Sequence, residues 1–284
     1  MRRATALAMR VLVATDLSES STVALREGAA LASPPSDALA AVHVLPPFQT
    51  VSAAVLDLSA ADVSARAARA VRGQVAKVTD RHDIEVFIDE GYAHVHILQR
   101  AEAWHADVVV VGTHGQLGLA RVLGGVAERV ARGGRCRVLV ARPQSTRGWV
   151  LVATSLSQRS LRAVTVAADE ARRRRARLKV VQSVGFAALE MIYVLALEQP
   201  LSARASAAQL LSKTIAGLGV TAECDVLERS PAAAIVGEAE EIGAELVVVG
   251  ARASTSLSPL TELAPGGVTD RVVRHAPCSV LIVP

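Results

Sequence analysis

The amino-acid sequence predicts an α/β chain of two tandem, doubly wound, five-stranded parallel-sheet domains. The first sign is that the chain is written twice. VLVATDLSESS at 11–21 returns as VLVATSLSQRS at 150–160, an offset of 139 residues. ADVVVVG at 106–112 returns as AELVVVG at 244–250, and GGVAERVARGGRCRVLVAR at 124–142 returns as GGVTDRVVRHAPCSVLIVP at 266–284. Three blocks in one order at nearly one offset mark a tandem duplication. The second sign is a set of short β-branched runs, apolar on both faces. The third is that helical stretches alternate with those runs. Strands buried on both faces and interleaved with helices form a parallel sheet covered on both sides. The boundary falls near 143–148, giving domains 1–145 and 146–284.

Each element of the first copy has its own signal. Residues 11–15 (VLVAT) read as the first strand, and 20–31 as a helix opened by serines that can cap it. A second strand follows at 40–45. Residues 60–81, rich in Ala, Arg and Val with an apolar stripe, read as a long helix. The third strand is 84–88. The helix predicted over 94–105 places Ile97, Leu98, Ala101 and Trp104 on one face at three- and four-residue spacing. Its counterpart places Ile235, Val236, Ala239 and Ile242 in the same way. Strands at 108–111 and 138–141 complete the copy.

Composition bounds what such a chain does. Hydrophobic residues make up 51% and mean hydropathy is +0.35, enough apolar surface for a sizeable core and the opposite of a disordered chain. The runs 108–111 and 246–249 are far shorter than the roughly 20 residues of a spanning helix, and the richest stretch, 184–197, is broken by Glu190. No membrane span is expected. The opening MRRATALAM fits no secretory signal. Thirty-one basic against 27 acidic residues leave a net charge of +4, and aromatics are 2%. A nucleic-acid partner is not expected, because it calls for a basic face or stacking platforms. Cys136, Cys224 and Cys278 are too few and scattered for a disulfide framework or zinc site, so the expected setting is reduced and cytoplasmic.

Doubly wound sheets take ligands at the carboxyl ends of their strands, where the strand order reverses. After the fourth strand comes GTHGQLGLARVLGGVAERV at 112–130. Gly112 ends the strand, Gly115 follows, and the pair Gly124 and Gly125 opens a helix. Glycines let backbone N–H groups approach phosphate oxygens, and a helix N-terminus adds its positive dipole end. Val126 continues the row of N–H donors, and His114 and Arg121 offer side-chain donors. The pattern is neither a Walker A loop nor GxGxxG. A Gly-rich turn that simply packs is the alternative.

These blocks resemble the universal stress proteins in their tandem two-domain form, over nearly the whole chain. The resemblance rests on VLVATDLSE, VHVLPP, EVFIDEG, and ADVVVVGTHG followed by VAERVARGGRCRVLV. It implies a Rossmann-like fold of the adenine nucleotide alpha hydrolase type. Members of the nucleotide-binding branch carry G-x2-G-x9-G-[ST] after the fourth strand and an Asp after the first. By that resemblance Asp16 matches the residue that reads the adenine edge, and Ala14 and Thr15 line the same strand end. Val44 matches the backbone contact to the base, and Val111, Gly112 and Gly115 the start of the phosphate loop. The loop then departs. Aligned through VAER, Gly124 is the last glycine and Gly125 stands where Ser or Thr is expected, so one phosphate-binding hydroxyl is missing. In the second copy Ser155 replaces Asp16 and Ala253 replaces Gly115, in a longer loop with Pro259 and Pro265.

Other residues have plainer readings. Asp16 also suits a cap or turn. His94 and His96, two apart on a helix, point to different faces and read as surface residues. His43, His105 and Trp104 read as structural, and Cys136 and Cys278 as unreactive. The basic run of Arg172, Arg173, Arg174, Arg175, Arg177 and Lys179 reads as a solvated helix end. Two functions follow. One is a regulatory protein holding ATP or a related adenine nucleotide in the first domain, with Mg2+ carried by the phosphates and no catalytic residue, at most a slow ATPase. The other is a stress or scaffold protein acting through protein contacts. The family resemblance also implies a pseudo-dimer within the chain through 138–141 and 280–283, with a further homodimer and an unidentified signalling partner left open.

Overall fold

A computed structural model describes residues 8–32, 36–47, 59–113, 124–143, 148–183, 200–251 and 267–284. The chain forms two compact units, Met1–Arg142 and Pro143–Pro284. The first runs β1 (Arg10–Ala14), α1 (Glu19–Leu31), β2 (Ala38–Leu45), α2 (Ala60–Val75), β3 (Glu85–Glu90), α3 (Ala93–Ala103), β4 (Val108–Gly112), α4 (Gly125–Gly133) and β5 (Arg137–Ala141). The second runs β6 (Trp149–Ala153), α5 (Gln158–Arg174), β7 (Arg177–Ser183), α6 (Pro200–Gly217), β8 (Glu223–Leu227), α7 (Pro231–Ile242), β9 (Leu246–Gly250), α8 (Val268–His275) and β10 (Ser279–Val283).

The expected doubly wound sheet is present in each unit. The first has the strand order β3-β2-β1-β4-β5, with parallel pairing throughout. In the second, β9 lies between β10 and β6, and β7 between β6 and β8, again parallel. The β-branched runs are the reason. Val11, Leu12 and Val13 are fully buried, as are Val150, Leu151 and Val152, because helices cover both sheet faces. β1 pairs on one side with β2 and on the other with β4, Val11 opposite Leu39 and Val108. The chain order reverses between β1 and β4, which places a crevice at their carboxyl ends. No described helix is long and apolar enough to cross a membrane.

Helix starts follow local chemistry. Ser18, rather than Ser20, caps α1 by accepting from the Ser21 amide at 3.2 Å. Ser59 and Asp62 form a reciprocal capping box on α2. The predicted helix 60–81 stops at Val75. There the amides of Lys77, Val78 and Thr79 turn back onto the Gln74 and Val75 carbonyls. The chain beyond is then held by Arg81, whose guanidinium donates to the carbonyls of Ala32 at 2.7 Å and Asp37 at 2.8 Å and pairs with Asp83.

Arg81 therefore ties the end of α1 and the start of β2 to the approach to β3. Arg81→Met should lower stability by about 2 kcal/mol, because it leaves two carbonyls without their charged donor. Arg135→Met, which removes the fully exposed pair with Glu102, should change stability by less than about 0.5 kcal/mol. Urea unfolding of both variants checks this, and equal effects would contradict the clamp.

Candidate functional site

The crevice is built on the turn from β1 into α1. Thr15 extends β1 by donating its amide to the Val42 carbonyl at 2.9 Å, and its own carbonyl lies 2.8 Å from His43 Nδ1. Leu17 then takes a left-handed conformation, φ 69°. That conformation is strained for a non-glycine residue and persists only where its surroundings impose it. Here the Leu17 amide donates to Thr15 Oγ1 at 3.0 Å and the Ser18 amide to Asp16 Oδ1 at 3.1 Å. Asp16 is thus a turn residue, as one of its two readings expected, and it also lines the crevice.

An apolar cleft of about 180 Å³ opens at this point. Of the predicted residues, Ala14, Thr15, Asp16, Val44, Val111, Gly112, Gly124, Gly125 and Val126 all line it. His114, Gly115 and Arg121 lie outside the described residues. The cleft also takes in Ser21, Val42, Ala93, Ile97 and Ala127, which sequence reasoning did not assign to a site. Ala93 and Ile97 reach it because α3 begins beside the carboxyl ends of β2 and β3. Ile97 belongs to the apolar stripe read as core, and Ala93, just before the predicted helix, carries no signal in the sequence.

α4 supplies the polar end. Its N-cap, Gly124, offers no side-chain cap, so the amides of Gly125 and Val126 are among those a helix leaves without an internal acceptor. The Gly124 amide is not available in the same way. It donates to the Thr113 carbonyl at 2.6 Å and closes the end of β4 onto α4. The expected row of three backbone donors is therefore two.

Gly112 is required by close approach. A Cβ there would lie 2.6 Å from Ser20 Oγ and 2.8 Å from the Ser20 carbonyl oxygen. Thr113, buried beside it, places Oγ1 3.3 Å from Ser20 Oγ. α1 and β4 consequently touch at the mouth of the cleft.

The model of the universal stress protein family matches residues 8–142 and again 148–284. The chain belongs to that family. It is 28% identical over 137 residues to "Universal stress protein A homolog 2" of Coxiella burnetii, covering 47% of this chain and 94% of that one. It is 38% identical over 72 residues to "Universal stress protein MJ0531" of Methanocaldococcus jannaschii, covering 24% of this chain and 42% of that one. Among solved structures, a universal stress protein from Archaeoglobus fulgidus superposes with a TM-score of 0.64 at 18% identity, covering 96% of this chain and 95% of that one. A functionally unknown protein from Pseudomonas aeruginosa gives 0.66 at 16%, covering 97% and 92%. At such identities the structures show the shared fold alone.

The second universal stress protein repeat keeps the turn and changes its chemistry. Leu156 repeats the left-handed conformation at φ 60°, with its amide on Thr154 Oγ1 at 3.0 Å. Ser155, in place of Asp16, lies in a hydroxyl cluster with Ser157 at 3.1 Å and Ser160 at 3.3 Å. Thr269 stands where Ala127 does, and its hydroxyl donates to the Gly250 carbonyl at 3.0 Å. The Thr269 hydroxyl thus adds, beside the end of β9, a side-chain group that Ala127 does not have. Ala253, Pro259 and Pro265 lie outside the described residues.

The remaining residues have structural roles. His94 and His96 are half-buried rather than free on the surface, and the His96 ring lies against Gly91, where a Cβ would come within 2.4 Å of Nε2. His105 ends α3 at φ 51°, as Gly243 ends α7 at φ 61°. Burial pushes the Cys136 and Cys224 thiols up, away from the thiolate form that makes cysteine reactive. Among the described residues no three His, Cys, Asp or Glu side chains are grouped to hold a metal. Lys179 departs from the solvated reading. It points inward from β7 and pairs with Glu238 of α7 at 2.5 Å.

Proposed function

We propose that the first repeat binds ATP or a related adenine nucleotide in the cleft between β1 and β4 and that the second repeat does not. The observation that carries this reading is the meeting of three kinds of surface at the sheet's switch point. Asp16 supplies an acceptor for the base edge. Val42, Val44, Ala93 and Ile97 supply an apolar slot of the kind a planar base fills. The N-terminus of α4 supplies backbone donors and a positive dipole end for phosphate. Mg2+ would arrive on the phosphates. Membership of the universal stress protein family makes a regulatory role in stress the natural use of such binding, with the nucleotide as ligand rather than as fuel. The second repeat lacks that carboxylate, with Ser155 in its place; the alternative function is a scaffold acting through protein contacts.

Calorimetric titration with ATP and Mg2+ tests the reading. Asp16→Ala should weaken binding by about tenfold to a hundredfold, as expected for a hydrogen bond to a charged group. Ser155→Ala should leave it unchanged. Equal losses in the two variants, or no binding to the parent protein, would leave protein contacts as the function of both repeats.

A further inference from the structure

Gln74 lies near the end of α2, is 6% exposed, and does not line the cleft. It nevertheless engages the β1–α1 turn with both ends of its amide. Oε1 accepts from Thr15 Oγ1 at 2.5 Å. Nε2 approaches the Ser18 carbonyl at 3.1 Å, Thr22 Oγ1 at 2.8 Å and Ser21 Oγ at 3.2 Å. Two of the four residues that Gln74 contacts, Thr15 and Ser18, flank Asp16 and the left-handed Leu17. Ser18 is moreover the residue whose amide binds the Asp16 carboxylate.

The second repeat supplies an internal comparison. Its turn has the same left-handed leucine and the same Thr154 contact, but its polar partners are the turn's own serines. Among the described residues no amide side chain of α6 hydrogen-bonds to that turn. The turn therefore forms without a glutamine clamp. Gln74 is present in the repeat where the carboxylate is present, and it joins the turn to α2.

We propose that Gln74 is a positioning residue of the cleft, fixing from α2 the Thr15–Ser18 turn and through it the direction of the Asp16 carboxylate. The proposal rests on the nucleotide reading given above. A buried polar network with all its members satisfied holds one geometry, because each alternative leaves a donor or acceptor unpaired in a low-dielectric setting. Removing the amide leaves the Thr15 hydroxyl with Ser21 Oγ and the Leu17 amide, and the Ser18 carbonyl with the Thr22 amide and the Ser21 and Thr22 hydroxyls. All of these are groups of the turn and of α1, so the tie to α2 is lost and the turn is held less firmly. The carboxylate would then sample directions in which it cannot meet a base edge.

The test is a double-mutant cycle on the full chain, with ATP and Mg2+ as the titrant. Gln74→Met keeps the length and apolar stem of the side chain and removes its hydrogen bonds. In the parent background it should weaken ATP binding about tenfold. In the Asp16→Ala background it should change nothing, because its effect runs through that carboxylate. Amide exchange of the ligand-free protein gives a second readout. Leu17 and Ser18 should exchange about tenfold faster in the variant, while Leu156 and Ser157 keep their parent rates. Should Gln74→Met fail to fold, Thr22→Val removes one acceptor of the same amide and should show the same pattern at smaller amplitude. An equal loss of affinity in both backgrounds, or unchanged exchange at Leu17 and Ser18, overturns the proposal. A parent protein that binds no ATP overturns the nucleotide reading instead, and the exchange rates still decide whether Gln74 holds the turn.

Discussion

Replacing Lys179 by methionine should destabilise the second repeat by about 3 kcal/mol, the low end of what removing one partner of a buried ion pair costs. Lys179 Nζ lies 2.5 Å from Glu238 Oε1, with side-chain exposures of 17% and 8%. The variant leaves the Glu238 carboxylate desolvated and unmatched. In a unit of this size that loss lowers the melting midpoint by roughly 10 °C. The double change Lys179→Met with Glu238→Leu should recover most of it, because an apolar pair of similar volume avoids the desolvation of both charges. At the strand position of Lys179 the first repeat carries Ala40, so that point of the sheet accommodates an apolar side chain. Thermal unfolding of the single and double variants checks the claim, and a double variant no better than the single would contradict it.

The same pair sets a pH dependence. Burial alone would lower the pKa of the Lys179 amine. The hydrogen bond to Glu238 and the charges of Glu238, Asp225 and Glu223 outweigh it and hold the pKa above the usual lysine value. A group whose pKa is raised on folding contributes its full stability below its unfolded pKa and loses it as pH rises through the folded one. The gap between parent and Lys179→Met should therefore be complete at neutral pH and shrink only above the ordinary lysine range.

The second large effect belongs to Gly112→Ala. The added methyl would lie under 3 Å from the Ser20 hydroxyl, carbonyl oxygen and carbonyl carbon. The last two are helix backbone, so α1 or β4 must shift. Overpacking of this kind costs about 2 kcal/mol. It should also abolish ATP binding, because the displaced elements carry Asp16 and the α4 junction. Gly250→Ala is the control. There the nearest atom is Ser160 Cα at 3.8 Å, an ordinary contact, and stability should stay within about 0.5 kcal/mol of the parent. Denaturant unfolding with calorimetry on both variants decides it, and matched losses would contradict the close-approach argument.

The contrast between these sites shows what the sequence makes legible. Strands such as Val108–Gly112 were readable because a run buried on both faces needs no partner to be recognised. The duplication repeats several of them in the same order along the chain. Gln74 was not readable, since a lone glutamine in a helix has many uses and its partners are more than 50 residues away. Lys179 was misplaced for a related reason. It follows an arginine run in sequence, yet in β7 its side chain turns toward Glu238, and alternation along a strand is invisible to charge counting. The pattern over 60–81 overshoots the helix, because the chain turns back at 77–79 and Arg81 is recruited by carbonyls at Ala32 and Asp37.

The chain's two tryptophans fall one to each repeat. Trp104 is buried in the first, with its indole N–H on Glu85 at 2.9 Å, Phe87 edge-on at 6.3 Å and the Arg10 guanidinium 4.2 Å from its ring. Trp149 begins β6 in the second, with Arg177 stacked 3.9 Å from its ring. Each half of the duplicated chain thus carries its own fluorophore, one beside Phe87, Glu85 and Arg10 and the other beneath Arg177. Silencing one tryptophan with phenylalanine leaves an emission that reports a single repeat. The order in which the halves melt, and which of them a ligand protects, can be read optically from the intact protein without cutting it in two.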